Sequence, residues 1–170
     1  MTESIKNTLS RVLENISLAP YTSFNIGGKA RYFLEAYTED DIIQSLDWAK
    51  KNGINIFVLG SGTNLLVSDR GFNGLVLKLN NNFIKFQNIS VLCGAGTLLQ
   101  ALIDESISHG LGGLEQMAGI GGTVGGAVRG NAGAFGQSIG DKVDEVIAII
   151  DGAIKKFSQT DCKFNYRESV

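Results

Sequence analysis

Glycine is spread unevenly along this chain, and that unevenness limits what it can fold into more than any other feature. Of 22 glycines, 12 fall between Gly110 and Gly140, and residues 119–136, GIGGTVGGAVRGNAGAFG, place eight in eighteen positions without a proline. Ordering glycine removes more main-chain freedom than ordering any other residue, so such a segment is either disordered or held by something that needs bare backbone. The residues between the glycines favour order. Thr123, Val124, Ala127, Asn131 and Ala132 supply apolar and hydrogen-bonding groups for which a disordered linker has no use. A shorter glycine segment, VLGSGTNLL, follows directly on an expected strand.

The rest of the chain is composed to fold. With 170 residues, 44% hydrophobic and 19% charged, it can build one substantial core or two small ones. Fifteen basic residues against seventeen acidic ones give a net charge of -2, and like charges do not cluster, which argues against nucleic acid as a main partner. No apolar run reaches the roughly 18 residues needed to span a bilayer, and the N-terminus reads as an amphipathic helix, so no membrane insertion and a cytoplasmic location are expected. Cys93 and Cys162 lack CxxC spacing and a neighbouring histidine, so both read as buried free thiols, and no metal site is expected.

Periodicity predicts an N-terminal helix from the spacing of Ile5, Leu9, Val12, Leu13 and Ile16, broken before Pro20. Strand RYFLEA is followed by helix TEDDIIQSLDWAKKNG, with Thr38 as N-cap, acids in its first turn, and Lys50, Lys51 and Gly53 at its end. Strands INIFVL and GLVLKL flank the short glycine loop. A hairpin of NNFIKFQN with ISVLCGAG precedes helix TLLQALIDESISHG, for which Thr97 is the expected N-cap and Gly110 the stop. After a long glycine loop, VDEVIAII and AIKKFS flank Asp151-Gly152, the strongest short hairpin signal in the chain. Trp48 and the phenylalanines read as packing residues, and His109 as a helix-end residue complementing the macrodipole. The order of elements predicts two α+β lobes, residues 1–80 and 81–170.

Both glycine segments can turn consecutive N–H groups toward an anion such as a diphosphate. Neither G-x-G-x-x-G nor G-x-x-x-x-G-K-[ST] is present, so a dinucleotide would not be held in the Rossmann or P-loop manner. Sparse hydrogen-bonding groups on an apolar surface suit a flat aromatic cofactor.

Four motifs, YTSFNIGGKARYF, VLGSGTNLLVSDRGFNGLVL, GLGGLEQMAGIGGTVGGAVRGNAGAFGQSIGDKV and FNYRES, together resemble the UDP-N-acetylenolpyruvoylglucosamine reductase family, in order and at similar spacing. The resemblance implies an α+β, two-subdomain FAD-binding fold of the vanillyl-alcohol-oxidase (PCMH) type, with non-covalent FAD held between the subdomains. It implies a diphosphate loop at Gly60, Ser61, Gly62, Thr63, Asn64 and Leu65. It implies a second FAD-contacting segment at Gly119, Gly122, Thr123, Gly125 and Gly126, with Asn131 and Ala132 near flavin and substrate. In the terminal YRES motif, Arg167 is the implied catalytic residue, and Tyr166 is implied beside it at the nucleotide-sugar substrate.

The implied reaction reduces an enolpyruvyl ether to a lactyl ether with NADPH as hydride donor, in peptidoglycan precursor synthesis. Charge developing at the substrate carboxylate calls for a fixed cation, and a guanidinium that stays ionised and grips through two hydrogen bonds suits it. The departures are Gly121 where the family usually has proline, and Tyr21 where it often has asparagine. The family also continues well past Val170 into a substrate domain with a serine proton donor and a glutamate, so the chain is expected to supply only the FAD-binding part. Ser169 lies too close to Arg167 in the motif to be that donor. Another FAD-dependent oxidase or dehydrogenase with the same FAD domain, or a non-catalytic flavin-binding remnant, remains an alternative at the level of sequence.

Overall fold

Thr38 begins the helix that organises the first half of the molecule. Its hydroxyl accepts the Asp41 amide at 3.1 Å while the Asp41 carboxylate accepts the Thr38 amide at 3.2 Å, a closed capping box. Helix α1, Glu39–Lys51, follows, with three acids in its first turn and two lysines in its last. Arg11 pairs with Asp41, and the Thr8 hydroxyl donates to the same carboxylate at 2.9 Å. Burial alone would raise the Asp41 carboxyl, but the amides of Tyr37 and Thr38, the Thr8 hydroxyl and Arg11 together hold it below its ordinary value.

The structure is a computed structural model that describes residues 8–170, and the chain divides into two compact units between Asn81 and Asn82. In the first, strands β1 (Leu13–Ser17), β2 (Lys29–Ala36), β3 (Ile56–Leu59) and β4 (Phe72–Leu79) form one sheet in the order β1-β2-β4-β3. β1 runs antiparallel to β2, while β2 and β3 are both parallel to β4. Side chains alternate across the sheet, so neighbours in sequence enter different cores. Leu34, Ala36, Leu75 and Leu77 pack beneath α1 with Ala49. Phe33, Leu59, Val76 and Ala30 pack on the opposite face with Leu18, Tyr21, Leu65 and Val67. Burial on both faces is usual for parallel strands, and each fully buried Phe or Leu contributes about 1.5 to 3 kcal/mol.

In the second unit, β5 (Ile84–Gln87) and β6 (Ser90–Cys93) form a hairpin, and α2 (Leu99–Ser108) follows. A short helix α3 (Val124–Arg129) lies inside the glycine-rich segment. Then come the two-residue strands β7 (Gly133–Ala134) and β8 (Gln137–Ser138), and the hairpin β9 (Glu145–Ile150) with β10 (Ala153–Ser158). Asp151 and Gly152 turn that hairpin, both at positive φ. The core gathers Leu99, Ile103, Met117, Ala127 and Ile139.

Four expectations are corrected. The expected N-terminal helix falls partly outside the described residues, and within them Leu13–Ser17 is β1, because pairing with β2 outweighs the local apolar spacing. Thr97 is not an N-cap: its hydroxyl accepts the Phe83 amide at 3.2 Å and donates to the Phe83 carbonyl at 3.1 Å, and α2 starts after Leu98 without a side-chain cap. The long glycine loop contains α3, capped by Thr123. Not every phenylalanine packs: Phe24 is 59% exposed and Phe135 86% exposed.

Candidate cofactor-binding site

β3 and β4 are parallel and adjacent, so the chain leaving Leu59 must cross back over the sheet before Phe72. The crossover begins with residues 60–65 at the carboxyl ends of the parallel strands and then lays Leu65 and Val67 on the core. Gly62 makes the turn possible. Its φ is +68°, and a Cβ there would stand 2.0 Å from the Tyr21 carbonyl oxygen, so only glycine fits. Tyr21 is itself fixed by its ring against Phe33, centroids 4.5 Å apart.

The loop is held by its carbonyls. The Lys78 ammonium donates to the Gly60 oxygen at 3.2 Å, the Ser23 amide to the Gly62 oxygen at 3.2 Å, and the Ser23 hydroxyl to the Thr63 oxygen at 3.1 Å. Among the described residues, no protein acceptor takes the N–H of Gly60, Ser61, Gly62, Asn64 or Leu65. The Ser61 hydroxyl oxygen is buried and has no hydrogen-bond partner. Buried polar groups are otherwise almost always paired, so an orphan hydroxyl beside unspent amides marks a place for an external acceptor. These residues fit a diphosphate.

The second glycine segment treats its amides differently. Gly119 donates to the Gln100 side chain at 2.9 Å, Gly125 to the Ala95 carbonyl at 2.9 Å and Gly126 to the Thr123 hydroxyl at 3.4 Å. Asn131 donates to Val128 at 3.2 Å, and Ala132 to Ala127 at 2.8 Å. Only the amides of Gly122 and Thr123, among the expected cofactor residues here, go to no protein acceptor among the described residues. Gly125 sits where a Cβ would be 2.8 Å from the Ala95 Cβ, and Gly140 where one would be 2.5 Å from the Phe164 ring. Glycine serves close packing at Gly125 and Gly140, whereas a Cβ at Gly119 would meet nothing within 4 Å and one at Gly126 only an ordinary contact at 3.5 Å.

Asn131, held at φ +40°, ties this segment to the C-terminal turn. Its amide nitrogen donates to the Asn165 carbonyl at 2.8 Å and its oxygen accepts the Gly140 N–H at 3.1 Å. Arg129 donates to the Ser169 carbonyl at 2.6 Å, and the Ser169 hydroxyl donates back to the Arg129 carbonyl at 3.0 Å. Between these struts Asn165 and Glu168 exchange main-chain hydrogen bonds at 2.9 and 3.2 Å, leaving Tyr166 and Arg167 at the tip. Tyr166 is 86% exposed, Arg167 adopts φ +57°, and its guanidinium lies 5.7 Å from the Tyr166 ring. The structure thus brings Asn131 to the Arg167 turn. That Lys78, Ser23, Arg129 and Ser169 hold carbonyls of these segments was not legible in the sequence, because nothing local says which carbonyl each one reaches.

The other expected features are ordinary. His109 ends α2, its ring stacked on Phe86 at 3.8 Å. Cys93 and Cys162 are free, and burial raises both thiols above their usual range. Among the described residues, no helix is long and apolar enough to cross a membrane.

A parallel-stranded unit bearing an amide-lined glycine crossover, followed by an α+β unit with a second glycine segment, defines the FAD-binding fold of the vanillyl-alcohol-oxidase type. The solved 6-hydroxy-D-nicotine oxidase of Arthrobacter nicotinovorans shares that fold at TM-score 0.69 and 21% identity, covering 88% of this chain and 36% of its own. A family model described as FAD binding domain matches residues 30–152, and the chain belongs to that family. It is similar to the UDP-N-acetylenolpyruvoylglucosamine reductase of Solibacter usitatus, 44% identical over 153 residues, covering 90% of this chain and 49% of the relative. The crystal structure of the reductase MurB from Thermus caldophilus superposes with TM-score 0.79 at 34% identity, covering 91% of this chain and 55% of that one. The chain spans about half the length of the reductases it matches.

Proposed function

We propose that this chain is the FAD-binding part of a UDP-N-acetylenolpyruvoylglucosamine reductase, acting with NADPH on the nucleotide-sugar enolpyruvyl ether of peptidoglycan precursor synthesis. On this reading it works in the cytoplasm and bears on cell shape, cell cycle and division. The observation that carries the cofactor is the 60–65 loop, tied by three of its carbonyls, with five amides and the Ser61 hydroxyl unspent among the described residues. The substrate class comes from the reductases to which the chain is 33–44% identical.

Gly60, Ser61, Gly62, Thr63, Asn64 and Leu65 would hold the diphosphate. Gly122 and Thr123 would add hydrogen bonds, and Gly119, Gly125, Gly126, Asn131 and Ala132 an apolar bed for the ring system. Bound FAD supplies hydride transfer between NADPH and the enolpyruvyl double bond. Arg167, presented on a braced turn, grips the substrate carboxylate and offsets the charge that develops there, with Tyr166 beside it. The test begins with the purified chain: it should bind added FAD stoichiometrically and show flavin absorbance. Joined to the substrate domain of one of the reductases to which it is similar, it should oxidise NADPH in the presence of the enolpyruvyl sugar nucleotide. A chain that takes up no FAD removes the cofactor reading; a flavin-loaded protein indifferent to that substrate removes the substrate reading alone.

A further inference from the structure

We propose that Lys78 is a positioning residue of the diphosphate site, orienting its first peptide; the inference rests on the FAD reading above. Lys78 stands on β4 opposite Glu35 of β2 and Leu59 of β3. It is half-buried, and its ammonium is directed to the Gly60 oxygen at 3.2 Å. Lysines normally keep the ammonium in water or pair it with an acid. Among the described residues no ion pair joins Lys78 to a carboxylate. The carboxylate of Glu35, across the ladder, instead accepts the Tyr37 hydroxyl at 2.6 Å and the Asn80 amide at 3.0 Å.

Two consequences follow from that placement. The Gly60–Ser61 peptide is planar and trans, so drawing its C=O toward Lys78 turns the Ser61 N–H to the opposite side, where no protein acceptor takes it. The ammonium engages the Gly60 oxygen and, among the described residues, no carboxylate competes for it, so the orientation of that peptide rests on this one hydrogen bond. A site that combines oriented amides and a buried hydroxyl is matched by a ligand with adjacent negative oxygens. Within FAD that ligand is the diphosphate, and the isoalloxazine alone offers no such group.

The experiment compares dissociation constants of FAD and of riboflavin, which lacks the diphosphate, for the 170-residue chain and for Lys78→Met, Lys78→Gln and Lys78→Arg. Flavin fluorescence reports binding, and thermal unfolding confirms that each variant is folded. Lys78→Met and Lys78→Gln should weaken FAD by about 10-fold or more, the scale of a hydrogen bond to a charged group. Riboflavin binding should be unchanged, and Lys78→Arg should recover most of the loss. Equal losses for both ligands, or no loss of FAD, would overturn the role of Lys78 while leaving FAD binding in place. A wild-type chain that binds FAD no better than riboflavin would overturn the diphosphate site itself, and Lys78 with it.

Discussion

In the 60–65 loop the carbonyls of Gly60, Gly62 and Thr63 are tied down and, among the described residues, the amides of Gly60, Ser61, Gly62, Asn64 and Leu65 are left over; in the 119–132 segment most amides are consumed, and at Gly125 neighbouring atoms leave no room for a Cβ. The two look alike as strings of letters. They differ in what the surrounding unit asks of them. The first leaves a parallel strand at its carboxyl end and must cross the sheet, which exposes N–H groups in a row. The second packs a six-residue helix against its own unit, so its donors are used within the fold. Glycine content therefore marks both segments, but only the hydrogen-bond partners separate an anion cradle from a packing joint.

Gly62→Ala should break the comparison most severely. With φ at +68° and a Tyr21 carbonyl 2.0 Å from the new Cβ, the turn cannot persist, and a loss on the order of 3 kcal/mol together with loss of FAD binding is expected. A variant that melts like the wild type would show that the loop tolerates another path. Asn131→Ala removes both struts to Asn165 and Gly140, for about 1 to 3 kcal/mol. Hydrogen exchange at the Glu168 amide should quicken far more than at amides of α2, and uniform acceleration would count against a local brace.

Gly125→Ala meets the Ala95 methyl at 2.8 Å and the Ala95 carbonyl oxygen at 3.0 Å, so overpacking of about 1 to 2 kcal/mol is expected, with the methyl part relieved by adding Ala95→Gly. No relief from the double change would place the strain elsewhere. Ser61→Ala should leave the melting temperature of the ligand-free chain unchanged or slightly raised, since a buried hydroxyl without a partner is removed. FAD affinity should nevertheless fall by about 3- to 10-fold, the equivalent of one hydrogen bond. Unaltered affinity would sever Ser61 from the ligand.

The smallest contrast concerns acid. Asp41 has a folded pKa below its unfolded value, so its contribution is present above the unfolded value and is lost as pH falls through the folded one. The depressed carboxyls of Asp141 and Asp161 in the second unit are surface groups held by local serine hydrogen bonds. Acid titration followed by tyrosine and tryptophan signals should therefore loosen the first unit before the second, and Asp41→Asn should flatten that response. Loss of both units together at one pH would remove the distinction.

Some elements were readable because their chemistry is local. Thr38, the three following acids and Lys50–Lys51 specify α1 from within one segment, and Asp151-Gly152 specifies its hairpin because both residues accept positive φ. β1 was misread because Leu9, Val12, Leu13 and Ile16 carry a helical spacing that only pairing with β2 overrides. Thr97 looked like a cap until Phe83, fourteen positions earlier, claimed both functions of its hydroxyl. The short helix α3 was hidden by glycines at Gly125 and Gly126, which lower helix propensity, although Gly125 lets it pack closely on Ala95.

Taken alone, the order of residues determined that two glycine segments exist, that one follows a strand, and that YRES places Arg167 near the end of the chain. It could not say which amides are spent, because hydrogen bonds between Ser23 and Thr63, Lys78 and Gly60, or Asn131 and Asn165 join positions 18 to 40 residues apart. Those choices belong to tertiary structure: a backbone donor is free or engaged only relative to the acceptors that folding brings beside it.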